Sequence, residues 1–504
     1  MIKKAKRITV GIMIIIIMAS LLAGCSAKKQ AEVAPAKVEN KEETKINNYT
    51  INADLNPADK TLTVDQQVVY KNNDNVELNE LYFHVYANAF KAKETAPFLF
   101  DDFERAYSRG FSPGYTDVTA VELSDSTGSK PLKFSFQGEG QTIMKVELPQ
   151  ALKPNESVSL AMKYKIVIPP AGERFGYGKS NFNLGNWYPV AAVYDSTGWN
   201  LDKYYAVGDP FYSDVSDYTV NISAPKEYTI AASGVLKEEK EAGGEKTWRF
   251  EADDMRDFAF IANTAFQVIE DNVGDTEIKS YYYKGQDKKG KAALQYAKES
   301  IEVFNRRFGK YPYPNYSVVE TEFPSGMEYP GLVYINEEYY DDDSNEDYIL
   351  FTTVHETAHQ WWYGVVGNDE IDEAWLDEGF ATYSEVVFVE DEFGRKSGDS
   401  YYKYIEGEAK DAISNRAFDG VVLKPLSKYK NWKDYGPAVY NEGAVLLNEV
   451  RKQVGDEKFY DIMKTYYKEY AFKNATTGDF LKVCEQVGGK DFSSVFDKYL
   501  SAKQ

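Results

Sequence analysis

The sequence predicts two folded parts in series, an N-terminal all-β sandwich or saddle and then an α+β part. Three observations predict it. Before about residue 268, apolar and polar residues alternate along short segments separated by turn residues. Beyond it, apolar residues recur at helical spacing. The 504 residues also include 40 Tyr and 28 Phe, enough aromatic material for large cores. Composition narrows the partners as well. Lys and Arg number 58 against 79 Asp and Glu, a net charge of −21, which argues against nucleic acid as a partner. Two Cys exclude a disulfide-rich scaffold.

The chain opens on an address rather than a fold. Lys3, Lys4, Lys6 and Arg7 precede an apolar run from Ile8 to Leu22, which ends in Leu22-Ala23-Gly24-Cys25. A positive start, an apolar core and a small-residue site are the pattern of a secretory signal. A Cys directly after Leu-Ala-Gly resembles the bacterial lipobox, whose Cys is acylated and becomes the new N-terminus. Residues 1–24 are therefore expected to be a lipoprotein signal peptide, with lipidation at Cys25. The body is then expected outside the cytoplasm, held to the bacterial cell membrane by that lipid. Residues 25–45, rich in Lys, Glu, Ala and Asn, read as a tether.

Residues 46–268 read as the β part. Tyr49 to Leu55 and Thr61 to Tyr70 alternate on either side of Asn56-Pro57-Ala58-Asp59-Lys60, a hairpin signal. Asp217 to Ser223 is a half-buried strand stopped by Pro225, and Gly243-Gly244 separates two strand-like runs, Tyr228 to Leu236 and Lys246 to Ala252. His84 lies among apolar neighbours and reads as a structural residue.

Residues 269–504 read as the α+β part. Leu294, Ala297, Ile301, Phe304 and Phe308 mark a helix closed by Gly309. Extended pieces follow at Tyr316 to Thr321 and Gly331 to Ile335. A helix is expected from about Asp343 through Trp362, with Glu346 and Asp347 in its first turn. Another is expected over Asp372 to Val389. Later helices are expected at Glu442 to Val454, Asp456 to Tyr467 and Asp479 to Val487, the last with Cys484 as a buried free thiol on its apolar face.

The chemistry sits on two of these helices. The chain has three His, and two of them fall in His355-Glu356-Thr357-Ala358-His359. Residues four apart share a helix face, so both imidazoles can meet one metal ion. Glu356, at the edge of that face, can reach a water on the metal. Imidazoles plus a carboxylate are the donor set of a catalytic zinc site with one open position. Glu378, in Trp375-Leu376-Asp377-Glu378-Gly379-Phe380-Ala381, follows His359 after eighteen residues and is a candidate third ligand. On geometry alone, Glu373 and Glu385 compete with it.

His-Glu-x-x-His, eighteen residues, then Glu within Trp-Leu-x-Glu-Gly-Phe-Ala resembles the gluzincin aminopeptidases of the aminopeptidase N and leukotriene hydrolase type. Ser325-Gly326-Met327-Glu328-Tyr329 resembles their Gly-x-Met-Glu-Asn motif, and Val439-Tyr440-Asn441-Glu442-Gly443 resembles their Tyr-x-Lys-Gly segment. The resemblance covers about residues 46–500. It implies a thermolysin-like catalytic domain and one zinc ion held by His355, His359 and Glu378. It implies Glu356 as general base, Tyr440 as oxyanion donor with Tyr435 a rival, and Glu328 as anchor for a free α-amino group, with Gly326 and Met327 beside it. Asn183 is the candidate for a second amine-binding group from the β part. Many relatives carry a large C-terminal helical domain; the residues after Tyr440 are expected instead to be helices completing the catalytic domain. Tyr329, Ser325, Glu442 and Asp377 depart from the family's residues, and Tyr329 bears on the first substrate pocket.

The activity these residues imply is metal-assisted removal of N-terminal residues from peptides. The alternatives are a zinc endopeptidase of the same class, or a peptide-binding surface lipoprotein with an inert metal site.

Overall fold

A computed structural model describes residues 46–125, 128–341 and 346–500. The signal segment, Cys25 and the tether lie outside the described residues. Among the described residues no helix is long and apolar enough to cross a membrane.

The β part is built on an eight-stranded sheet and two four-stranded sheets. In the large sheet Asn47–Asn56 pairs antiparallel with Thr61–Lys71 and parallel with Ser216–Pro225. Alternation decides which face is buried: Tyr49, Ile51, Ala53 and Leu55 enter the core while the residues between them stay accessible. The turn between the first two strands is fixed by Asn56, whose Oδ1 accepts from the amides of Ala58 and Asp59 at 3.1 and 3.2 Å. Gly243 and Gly244, at φ 65° and 93°, make the tight turn between Val235–Ala242 and Glu245–Met255.

One expected strand divides. Thr229–Ala232 joins a four-stranded sheet beside Phe260–Asn263, while Val235–Ala242 joins the large sheet. Gly234 makes the switch at φ 78°, and a Cβ there would lie 2.6 Å from the Glu251 carbonyl. His84 is buried and holds the Asn200 carbonyl with Nε2 at 3.1 Å, its ring stacked on Tyr86. Burial pushes its pKa down to about 4, so it stays neutral.

The α+β part rests on a five-stranded mixed sheet that opens with a hairpin, Phe266–Val273 and Thr276–Tyr283. Helix Asp287–Arg307 then crosses over, and Asn315–Thr321 returns parallel to Thr276–Tyr283. Leu332–Asn336 pairs next to it, and Gly326–Met327 forms the edge. Helices Glu346–Ala358 and Trp375–Phe393 pack against each other. In the second of these every residue from Trp375 to Val389 is buried, so it is a core helix rather than an amphipathic one. Helix Arg395–Ser414 follows it, a segment that the sequence analysis leaves unassigned. Gly443–Val454, Asp456–Tyr470 and Thr477–Gly488 lie where helices are expected, and Ser493–Leu500 adds one more. Cys484 is buried and free.

The helix expected to reach Trp362 stops at Ala358. The chain turns there: the Gly364 amide bonds the His359 carbonyl at 2.8 Å, and Tyr363 sits at φ 108°. That turn tucks Trp361 and Trp362 into the core beneath the site.

Candidate active site

Helix Glu346–Ala358 presents His355 from its last turn, and His359 directly follows it. Helix Trp375–Phe393 presents Glu378 from its first turn. Both imidazoles aim Nε2 at one point: His355 Nε2 and His359 Nε2 lie 3.1 and 3.3 Å from Glu378 Oε2. The opposite ring nitrogens are occupied. His355 Nδ1 lies 2.7 Å from Glu385 Oε1, Tyr401 donates to the other oxygen of that carboxylate, and His359 Nδ1 lies against Asp377. A carboxylate behind each ring fixes its tautomer and leaves Nε2 free as an electron-pair donor. Two Nε2 atoms and one carboxylate oxygen within 4.8 Å of one another suit a tetrahedral divalent ion such as zinc. Glu385 therefore holds the back of the His355 ring, and Glu373, whose carboxylate accepts from the Thr477 amide at 2.6 Å, is occupied elsewhere.

The charges agree with this convergence. Burial works against charge on both imidazoles, but hydrogen bonds with Glu378 and Glu385 raise His355 to about 10, and Asp377 and Glu378 raise His359. Burial opposes ionisation of Glu378, yet the two imidazoles hold it well below the usual carboxylate range.

Glu356 lines the same cavity, and burial pushes its carboxyl up to about 7. Its Oε2 is buried and has no hydrogen-bond partner in the protein. Gly326 lies directly against Glu356, and a Cβ on Gly326 would overlap the carboxylate. Gly326→Ala is expected to displace that carboxylate. Overpacking of this kind costs about 1–3 kcal/mol. A thermal melt reads the loss of stability, and an assay under zinc saturation reads the loss of activity.

Tyr440 reaches the site from an unusual turn. Residues Pro437–Glu442 form a π-helical turn, a wider coil found mostly at functional positions. The backbones close where two glycines meet: a Cβ on Gly443 would lie 3.0 Å from the Gly379 Cα. The approach brings the Tyr440 hydroxyl within 2.5 Å of Glu378 Oε1, the oxygen not turned to the imidazoles. Burial, then the Glu378 charge, raises the Tyr440 pKa well above its ordinary value, so it remains a donor. Tyr435 is buried and does not line the cavity.

Glu328 is 3% exposed, with Oε1 lacking a partner, and offers an oxygen within 4.8 Å of Glu356 and His359. Burial, then the Asp209 charge, raises its pKa. The cavity of about 500 Å³ that holds these groups also takes in Arg174 and Asp209 from the β part, which form a buried ion pair. Sequence reading missed both. They stand in irregular backbone or at its edge, without a pattern to mark them.

Three expected neighbours are placed elsewhere. Asn183 does not line the cavity; its amide donates to the Glu173 carbonyl at 3.1 Å and accepts from Asn181 at 2.8 Å, inside a fully buried strand. The β part instead lends Asp209, paired with Arg174, to the cavity wall. Met327 turns its sulfur to Arg174 Nε at 3.0 Å rather than into the cavity. Tyr329 points away as well, donating to Asn186 Oδ1 at 2.7 Å, so its departure from the family's Asn leaves the cavity wall untouched.

Comparison with known proteins agrees with the geometry. Residues 292–499 match the peptidase family M1 domain. A probable aminopeptidase 2 of Sulfurisphaera tokodaii is 25% identical over 300 residues, 56% of this chain and 38% of that protein. Aminopeptidase N of Lactococcus lactis is 29% identical over 225 residues, 41% of this chain and 26% of that protein. The chain spans about a third of the length of the curated relatives it matches. The fold is similar to the crystal structure of the M1 zinc metallopeptidase from Deinococcus radiodurans, with a TM-score of 0.61 and 16% identity, covering 92% of this chain and 96% of that one. Residues 292–499 are thus a match to the peptidase family M1 domain, and the chain as a whole is similar in fold to the M1 zinc metallopeptidases.

Proposed function

We propose that the chain is a zinc aminopeptidase that hydrolyses the first peptide bond of substrates with a free N-terminus. The observation that carries this reading is the convergence of His355 Nε2, His359 Nε2 and Glu378 Oε2 beside the unpartnered carboxylate oxygens of Glu356 and Glu328. Zinc held by His355, His359 and Glu378 supplies a Lewis acid that polarises the scissile carbonyl and acidifies water. Glu356 takes the proton of the attacking water and returns it to the leaving amine. Tyr440 donates a hydrogen bond from its hydroxyl to the oxygen on which charge develops, turning from Glu378 to do so. Glu328, with Asp209 behind it, accepts the α-ammonium through a charge-assisted hydrogen bond. An amine held there would bring the first carbonyl, two bonds away, beside Glu356 and the three residues that would hold the zinc. A mutant of a similar M1 zinc metallopeptidase is bound to a Tyr-ser-ala substrate, which supports peptides as the substrate class.

Free and N-acetylated aminoacyl substrates, each with and without a chelator, test the reading. Cleavage of the free form alone, abolished by chelator and restored by zinc, is expected. Equal cleavage of the blocked form would discard it. Glu328→Ala is expected to raise KM for the free form by about tenfold or more, the value of a charge-assisted bond.

The Leu22-Ala23-Gly24-Cys25 pattern supports a lipid anchor and a place outside the cytoplasm. Labelling with a fatty-acid analogue is expected to mark the wild-type protein and not Cys25→Ser. Equal label on both would remove the anchor.

A further inference from the structure

The two ends of the cavity differ in chemistry. Beside His355 it is walled by Phe351, Tyr401 and Tyr404. At the other end stand Leu99 and Phe100 from the β part and Trp432 from the catalytic part. A closed ring of contacts ties this second end to the groups proposed to hold the ammonium. The Leu99 amide donates to Glu173 Oε1 at 3.2 Å, Arg174 follows in sequence, and Arg174 pairs with Asp209. The Phe100 ring lies 5.0 Å from that of Trp432, and Trp432 stands edge-on to Tyr435 at 5.3 Å. Tyr435 closes on Gly208, next to Asp209, where an added Cβ would lie 2.8 Å from its hydroxyl.

Phe100 is held out deliberately. It is 45% exposed, and it and Asp101 both occupy the left-handed region, at φ 56° and 58°. Two successive non-glycine residues in that region, one presenting a large apolar ring to a cavity, are strain of the kind concentrated at ligand clamps. Trp432 is set firmly opposite: Asn431 caps its short helix with a reciprocal bond to Asp434.

We propose that Leu99, Phe100 and Trp432 form the pocket for the substrate's first side chain, and that this pocket selects a large apolar residue. The inference rests on the aminopeptidase reading. With the ammonium anchored beside Asp209, the first side chain is the part of the peptide that reaches these walls. Leu and Phe bury apolar area against them, and Ala leaves the space unfilled. An acidic side chain finds no free cation, since Arg174 is already committed to Asp209 and to the Met327 sulfur.

The test compares leucyl, phenylalanyl, alanyl and aspartyl fluorogenic substrates, each free and N-acetylated, on the full chain and on Phe100→Ala, Trp432→Ala and Trp432→Phe. In the wild type, kcat/KM for leucyl and phenylalanyl substrates is expected to exceed that for alanyl by at least about tenfold, with aspartyl lower still. Phe100→Ala and Trp432→Ala are expected to reduce that ratio by about tenfold, and Trp432→Phe to keep most of it. A wild type that favours alanyl or aspartyl substrates, or variants that lose leucyl and alanyl cleavage in equal proportion, would overturn the pocket while leaving the aminopeptidase reading intact. Cleavage of the acetylated series as fast as the free one, or of neither, would overturn both. Circular dichroism melts separate a lost pocket from a lost fold.

Discussion

Glu356→Gln is expected to lower kcat by about two to four orders of magnitude, the contribution of a positioned general base. Zinc content should stay at the wild-type value. The amide keeps the shape of the carboxylate, so the fit against Gly326 survives, and the three proposed ligands do not include this residue. What it loses is the ability to accept a proton. The same argument gives the pH dependence. Only the carboxylate form is a base, so kcat/KM falls as pH drops through the pKa of Glu356. Burial, working against the pull of the two imidazoles, raises that value to about 7, which places the acid limb near 7. A pH-rate profile of the wild type checks the limb, and metal analysis of the variant checks the separation of roles. A variant that loses its zinc would make Glu356 a ligand rather than a base.

Tyr440→Phe is expected to lower kcat by about 10²–10³ with little change in KM, the signature of a donor that acts only on developing charge. Tyr440 is half-buried, its phenol remains protonated, and it already reaches Glu378 Oε1 at 2.5 Å. Redirecting its hydrogen bond to a substrate oxygen therefore needs a rotation about the C–O bond and no rebuilding of the π-helical turn. Phe keeps the ring stacked on His355 at 5.7 Å, so the variant should fold and bind zinc. Steady-state kinetics against the leucyl substrate give the split. A fall confined to KM would move Tyr440 from catalysis to binding.

The parts of the site legible in the sequence are those fixed by local periodicity. His355 and His359 are four residues apart, and a helix turns that spacing into a shared face whatever surrounds it. Glu378 was one carboxylate among three on spacing alone, and the family's motif singled it out. The structure shows what spacing could not: Glu385 lies behind His355 and Glu373 binds a distant amide. The β hairpins were legible for a similar reason, because Asn56 and the Gly243-Gly244 pair mark turns by their own chemistry.

What was not legible depends on contacts between distant segments. Asp209 and Arg174 belong to no repeating pattern, and they meet across 35 residues of sequence. Asn183 is an amide of the kind the resemblance implies from the β part, but its strand is buried on both faces and its amide is consumed there. Helix Arg395–Ser414 did carry a signal, since Tyr402, Ile405 and Ala409 recur at helical spacing. The early stop at Ala358 carried a weaker one, in Gly364.

The account turns on where the metal sits. Anomalous diffraction at the zinc edge, from crystals of the full-length protein, reads this directly. One peak within about 2.0–2.2 Å of His355 Nε2, His359 Nε2 and a Glu378 oxygen is the predicted result. A peak among Glu328, Glu370 and Asp377 instead, or none at full protein occupancy after zinc is supplied, would contradict it.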